Sequence, residues 1–391
     1  MLLLPAAGLA QLIPKAKQPE AAVPQPAPDV KSSPGQPLAI LRIGHVAPLT
    51  GQIAHLGQDN ENGARLAVEE INAAGGIKVG DRTYRLQIVG MDDKATPSEG
   101  VRAAQELIDL RITAVVGHLN SGTSIPASKI YFDGRVPQIS PSATNPKFTQ
   151  LGFDTSFRVV ANDDHQAVVL AQYAVKRLGA KRIAIVDDRT AYGAGLADNF
   201  ERYVRRLGAE VVAREFVNTE KRNFTSVVLN LEPTVPDVVF YGGMDAEAGP
   251  LAVQMRRAGM NSILLSGDGA CSPEFIQLAR GSAEQMHCSM SGEAVEKFPR
   301  GDQFQAKFKR RFKVDVQIYS PYSYDAVYVI ADALRRAGST QPDALIRAIR
   351  QTNLEGLTGP IRFDAKGDLV NGAVSIFRVR NGKLEYLETL R

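Results

Sequence analysis

From about residue 40 onward, short β-rich apolar runs alternate with longer stretches whose apolar positions recur at helical spacing. Leu41–Val46 reads as the first strand. Over Asn60–Ala74 the residues Ala64, Ala67, Val68 and Ile71 share one face of a helix, and Gly75-Gly76 supplies its end. Strand Arg85–Val89, helix Pro97–Leu110, strand Thr113–Val116, helix Ser124–Phe132 and strand Val136–Ile139 follow in turn. The rhythm then restarts. Helix Gln166–Leu178 leads to strand Arg182–Val186, helix Gly195–Leu207, strand Glu210–Ala213 and helix Phe224–Leu231. Strand Asp237–Tyr241, helix Ala246–Ala258 and strand Ser262–Leu265 complete the second series. Alternation of this kind predicts parallel sheets covered by helices. Two successive series predict an α/β chain of two doubly wound lobes. In such sheets ligands bind outside the carboxyl ends of the strands, so function is expected in the loops there.

The first 37 residues break the pattern. Met1–Ala10 reads as the apolar part of a secretory signal whose basic start is missing, a truncated leader, with a mere apolar tail as the alternative. Residues 14–37 carry seven prolines among Ala, Gln, Lys and Ser, the composition of an extended linker. The whole chain has 391 residues, 44% of them hydrophobic and 23% charged, enough to build two cores. Its net charge of +4 is spread thinly, which argues against a nucleic-acid partner. Beyond the leader no apolar run is long enough to span a membrane.

Most enzymatic signatures are missing. There is no P-loop, and the partial glycine pattern at Gly193-Ala-Gly195 lies well past its strand, with Asp198 at the third glycine position. The five histidines form no HxxxH pair and the two cysteines no CxxC, so neither a metal nor another cofactor is expected. No GxSxG elbow is present. Nothing here nominates a catalytic residue, which leaves an enzyme without support but not excluded.

Two hydroxyl-rich loops at strand ends remain. Gly117–Ser124 opens a helix, where backbone N–H groups and hydroxyls suit a carboxylate. Ser140-Pro-Ser-Ala-Thr-Asn-Pro146 is the second. Ordinary helix capping by Ser121 or Thr123 stays open as the reading of the first loop, and a capped connection as that of the second. Tyr192 and Asp268 are placed to face these loops from the second lobe, although packing and turn roles suit them too.

In order and spacing these segments resemble the leucine/isoleucine/valine-binding periplasmic proteins, the type I solute-binding components of ABC importers. The likeness rests on Ile43-Gly-His-Val-Ala-Pro-Leu-Thr-Gly51, Glu69–Ile77, Met91-Asp-Asp93 and Val116-Gly-His-Leu119. It continues through Pro141-Ser-Ala-Thr144, Arg182–Asp188, Tyr192-Gly193, Tyr241-Gly-Gly243 and Phe363–Asp368, and so spans about residues 40–380. It implies lobe 1 over 38–160 plus 291–364 and lobe 2 over 161–290 plus 365–391, joined by a three-segment hinge that closes on an amino acid. The implied protein is a periplasmic, monomeric receptor that hands an aliphatic amino acid to a membrane permease. Another small carboxylate or amide, or a ligand-sensing role, stands as the alternative.

Carried over residue by residue, the resemblance puts Ser121, Ser142, Ala143 and Thr144 at the ligand's α-carboxylate. Asp268 falls at its ammonium, Tyr192 over the ligand, and Asp164 at the lobe crossing. Three departures stand out. Asp268 replaces a longer Glu, Leu56 and Met244 stand where the family carries Tyr, and Ala95 and Asn120 replace a first-lobe cysteine pair. In an exported protein Cys271 and Cys288 are then expected to form a bridge of their own.

Overall fold

The structure is a computed structural model that describes residues 38–391, so the leader and linker expected over 1–37 lie outside the described residues. The first sheet is laid down by β1 (Ala39–Ala47), β2 (Ile77–Val79), β3 (Arg82–Asp92), β4 (Ala114–Gly117), β5 (Gln138–Ser140) and β6 (Ser156–Arg158). Between them run α1 (Ala54–Ala73), α2 (Pro97–Asp109), α3 (Ser121–Asp133) and the single turn α4 (Lys147–Gln150). The strand order is β2-β3-β1-β4-β5-β6, parallel throughout except for the edge strand β2. Strands covered on both faces need continuous apolar runs. That is what Ala114-Val-Val-Gly117 supplies, with all four residues buried.

The second sheet begins with α5 (Asp163–Gln172), which continues as a π-helical turn over Tyr173–Arg177, and β7 (Arg182–Asp187). It proceeds through α6 (Ala191–Arg206), β8 (Glu210–Phe216), α7 (Thr225–Leu231), β9 (Val238–Gly242) and α8 (Asp245–Arg257). β10 (Ile263–Ser266), α9 (Pro273–Ala279) and β11 (His287–Met290) complete this series. The chain then returns to the first sheet as α10 (Gly301–Phe312), α11 (Ser320–Ala337) and α12 (Pro342–Arg350), with the hairpin β12 (Asn353–Glu355) and β13 (Pro360–Arg362). It ends in the second sheet with β14 (Val374–Arg380) and β15 (Lys383–Leu390), giving the order β15-β14-β11-β10-β9-β7-β8. The two doubly wound α/β layers expected from the sequence are both present.

Near the cleft the helices begin earlier than the apolar period implies. α1 starts at Ala54 rather than Asn60 because its first turns bury polar side chains, which no hydrophobic periodicity reveals. Asp59 and Asn60 are 3% and 0% exposed. The Asp59 carboxylate accepts backbone N–H bonds from Gln317, Ile318, Tyr319 and Ser320 at 2.8–3.2 Å, and so caps the start of α11. Gly63 lets those two helices touch, since a Cβ there would lie 2.1 Å from the Ser320 carbonyl oxygen. α6 starts at Ala191 rather than Gly195 because the Thr190 hydroxyl accepts the Gly193 N–H at 2.9 Å.

Candidate functional site

Where the carboxyl ends of the two sheets meet, Leu119, Asn120, Ser121, Ser142 and Tyr319 face Tyr192, Met244 and Asp268 across a cavity of about 10 Å³. That is near the ~10–15 Å³ one water needs, so the polar groups of the two sides are almost in contact.

On the first-sheet side, Ser121 opens α3, whose N-cap Asn120 makes no side-chain capping bond. The Ser121 hydroxyl accepts the Asn145 N–H at 3.1 Å. Ser142 donates its hydroxyl to the Leu119 carbonyl at 3.0 Å and accepts from Asn60 Nδ2 at 3.2 Å. Beneath them Arg158, fully buried, organises the loop. Its guanidinium pairs with Asp368 at 2.6 Å and donates to the carbonyls of Ala143 and Asn145 at 2.6 and 3.0 Å.

On the second-sheet side Asp268 sits on a tight turn just after β10, only 1% exposed. Its Oδ1 accepts from Gln166 and Tyr192, each at 3.0 Å, and its Oδ2 from the Tyr319 hydroxyl at 2.8 Å. Burial raises its pKa, against the lowering effect of those three donors. Burial and then the charge of Asp268 push the neighbouring buried Asp163 well above the usual carboxylate range, and its Oδ2 has no hydrogen-bond partner. The same two influences hold the hydroxyls of Tyr192 and Tyr319 well above 10, so both remain donors. The Cys271–Cys288 bridge ties this turn to β11.

The structure therefore gathers Ser121, Ser142, Tyr192, Met244 and Asp268 around one cavity. Thr144 lies just behind it, fully buried, with its hydroxyl lowering the Asp163 pKa without a well-aligned hydrogen bond. Three expectations need correction. Asp164 lies outside, its side chain 45% exposed and accepting from Asn199 at 3.0 Å, because α5 turns the adjacent Asp163 inward instead. Leu56 is wholly buried in the apolar cluster beneath Tyr192, Met244 and Tyr319 and supports the site without lining it. The Ala143 N–H is already spent on Ser140 Oγ at 2.8 Å, so this residue offers no free donor.

Asp163, Gln166 and Tyr319 escaped the sequence reading. Gln166 grips Asp268 twice, since its Oε1 also accepts the Asp268 N–H at 3.1 Å. A polar helix start such as Asn162-Asp-Asp-His-Gln166 was the available signal, whereas nothing local marks Tyr319, 51 positions along the chain from Asp268.

Asn120, Tyr192 and Met244 also line a second chamber of about 610 Å³. Ile53, Ala95, Pro97, Ala191 and Ala246 give it apolar wall, and Asp188, Glu247, Lys94 and Arg189 bring charge to it.

Known proteins share this architecture. The family described as periplasmic binding protein matches residues 40–383. The Leu/Ile/Val-binding protein homolog 1 of Brucella abortus is 33% identical over 338 residues, covering 85% of this chain and 89% of that protein. Among solved structures, the leucine-binding protein LivK of Thermotoga maritima superposes with a TM-score of 0.83 at 27% identity, covering 90% of this chain and 98% of that one. The isoleucine complex of the branched-chain amino acid binding protein LivJ from Streptococcus pneumoniae gives 0.82 at 26% identity, covering 90% and 99%. With two doubly wound sheets, a cleft at their carboxyl ends and a family match over nearly the whole described chain, the protein belongs to the periplasmic binding protein family.

Proposed function

We propose that this chain captures a branched-chain or other aliphatic amino acid in the cleft and delivers it to the membrane permease of an ABC importer, acting in the periplasm as a monomer. The observation that carries the reading is the pair of buried carboxylates, Asp268 and Asp163, opposite a helix N-terminus and a hydroxyl-rich loop. A zwitterion removed from water needs an anion at its ammonium and donors at its carboxylate, and these two sides supply them. Asp268 and Asp163 receive the ammonium, with Thr144 beside them. The first-turn N–H groups of α3, with Ser121 and Ser142, receive the carboxylate. Met244 and the apolar wall of the chamber take the side chain.

The cavity is too tight for an amino acid as it stands, so entry requires the lobes to part. In this reading lobe 1 comprises 38–160 plus 291–364 and lobe 2 comprises 161–290 plus 365–391, and they move as two bodies about the three crossings. The chain binds and releases its ligand unchanged. Mass spectrometry of ligand released from purified, denatured protein should recover an aliphatic amino acid. Calorimetry against L-amino acids and their des-amino analogues checks the zwitterion. If des-amino acids bind as tightly as leucine, the site takes a small carboxylate instead.

A further inference from the structure

One ionisable contact spans the cleft outside the ligand cavity. His55, in the first turn of α1, meets Asp245, the first residue of α8, with Nε2 to Oδ2 at 2.8 Å. α1 packs on the first sheet and α8 on the second, so this contact joins the two lobes. Asp245 is fully buried, also accepts the Ser272 hydroxyl at 2.5 Å, and its Oδ1 has no hydrogen-bond partner. Its chain neighbour is Met244, the N-cap of α8 and a wall of both the cavity and the chamber.

We infer that His55 is a positioning residue for ligand capture, which as imidazolium clasps Asp245 and holds the start of α8, and with it Met244, against the first lobe. The inference rests on the proposed function for its consequence, though not for the contact itself. The charged groups that act most strongly on His55 are acidic: Asp245 on α8, Glu274 on α9 and Asp59 on α1. Burial lowers the imidazole pKa, yet the Asp245 hydrogen bond and charge, followed by Glu274 and Asp59, outweigh it and leave it raised. In an open cleft the ring faces water and titrates near its ordinary ~6.5. Closure therefore takes up a proton between the two values. The clasp is fully present below the ordinary value and is lost as pH rises through the raised one.

Buried carboxylates of the cleft also titrate: burial lifts Glu247 to about 7 and Asp188 to about 6, and raises Asp268 and Asp163. The informative quantity is therefore the difference between the wild type and His55→Gln across pH. Calorimetry with L-leucine should find His55→Gln about three- to tenfold weaker at pH ~6 and within about twofold of wild type at pH ~9. A cycle with Asp245→Asn should show coupling at pH ~6 that disappears at pH ~9. An equal loss at both values would mean that His55 only packs, and would overturn the inference. A check on the closed protein, with whatever ligand it carries, separates this from failure of the functional reading. In that state NMR titration of His55, one of five histidines, should move to lower pH in Asp245→Asn, and an unchanged titration there rejects the clasp whatever the ligand.

Discussion

In the proposed reading the two walls of the cleft prepare for opposite charges by different means. The first-sheet wall is a scaffold of neutral groups that largely satisfy one another: Ser142 with Leu119, Ser121 with Asn145, Ala143 with Ser140. A buried charge pair, Arg158 with Asp368, stands behind the loop and grips its carbonyls. The second-sheet wall places charge at the surface of the cavity, a carboxylate ringed by the side chains of Gln166, Tyr192 and Tyr319. In that reading the carboxylate end needs only donors whose order is set by folding. The ammonium end buries carboxylates, and the cost of that burial is seen in the raised pKa values of Asp268 and Asp163. The first wall is thus limited by geometry and the second by electrostatics.

Breaking the first wall should cost most. Arg158→Met leaves Asp368 buried without its partner and frees the Ala143 and Asn145 carbonyls, so a loss of about 3–5 kcal/mol in folding stability is expected by denaturant titration. A loss below ~1 kcal/mol would mean that the loop holds itself. On the second wall Asp268→Asn preserves shape and removes charge, and leucine affinity measured by calorimetry should fall by about 2–5 kcal/mol. If Asp268 only shapes its turn, the substitution would be nearly neutral, because Asn suits such turns as well.

The disulfide sharpens the contrast, since it anchors the second wall alone. Cys271→Ala with Cys288→Ser opens a loop of 17 residues' separation and should lower stability by up to ~3 kcal/mol. It should weaken leucine binding through the Asp268 turn, while proteolytic sensitivity around Ser140–Pro146 stays as in the wild type. The smallest effect is expected at Thr144→Val, about 1–3 kcal/mol in affinity, because one hydroxyl is removed and its neighbours stay. A larger loss than at Asp268→Asn would reverse the division of labour between the walls.

The sequence by itself determined the layered α/β architecture and the strand runs Arg182–Val186 and Asp237–Tyr241, because parallel strands buried on both faces have to be continuously apolar. It also pointed to loops that come together around one cavity, since turn residues and hydroxyls at strand ends are local signals: Ser121, Ser142, Tyr192 and Asp268 all line it. Tertiary structure alone decided the rest. Whether Asp163 or Asp164 turns inward depends on the phase of α5, fixed by the Asp163 N–H reaching the Thr144 carbonyl at 2.8 Å and by packing along the helix. The first turns of α1 bury Asp59 and Asn60 against a helix that starts more than 250 residues later, so their polarity concealed a helix that hydrophobic spacing could not show. Tyr319 reaches Asp268 only because Asp59 holds its backbone N–H at 2.8 Å. Local spacing encodes which face of an element is apolar. A polar group's partner is chosen by what folding brings opposite it, and that is fixed only when both sheets are in place.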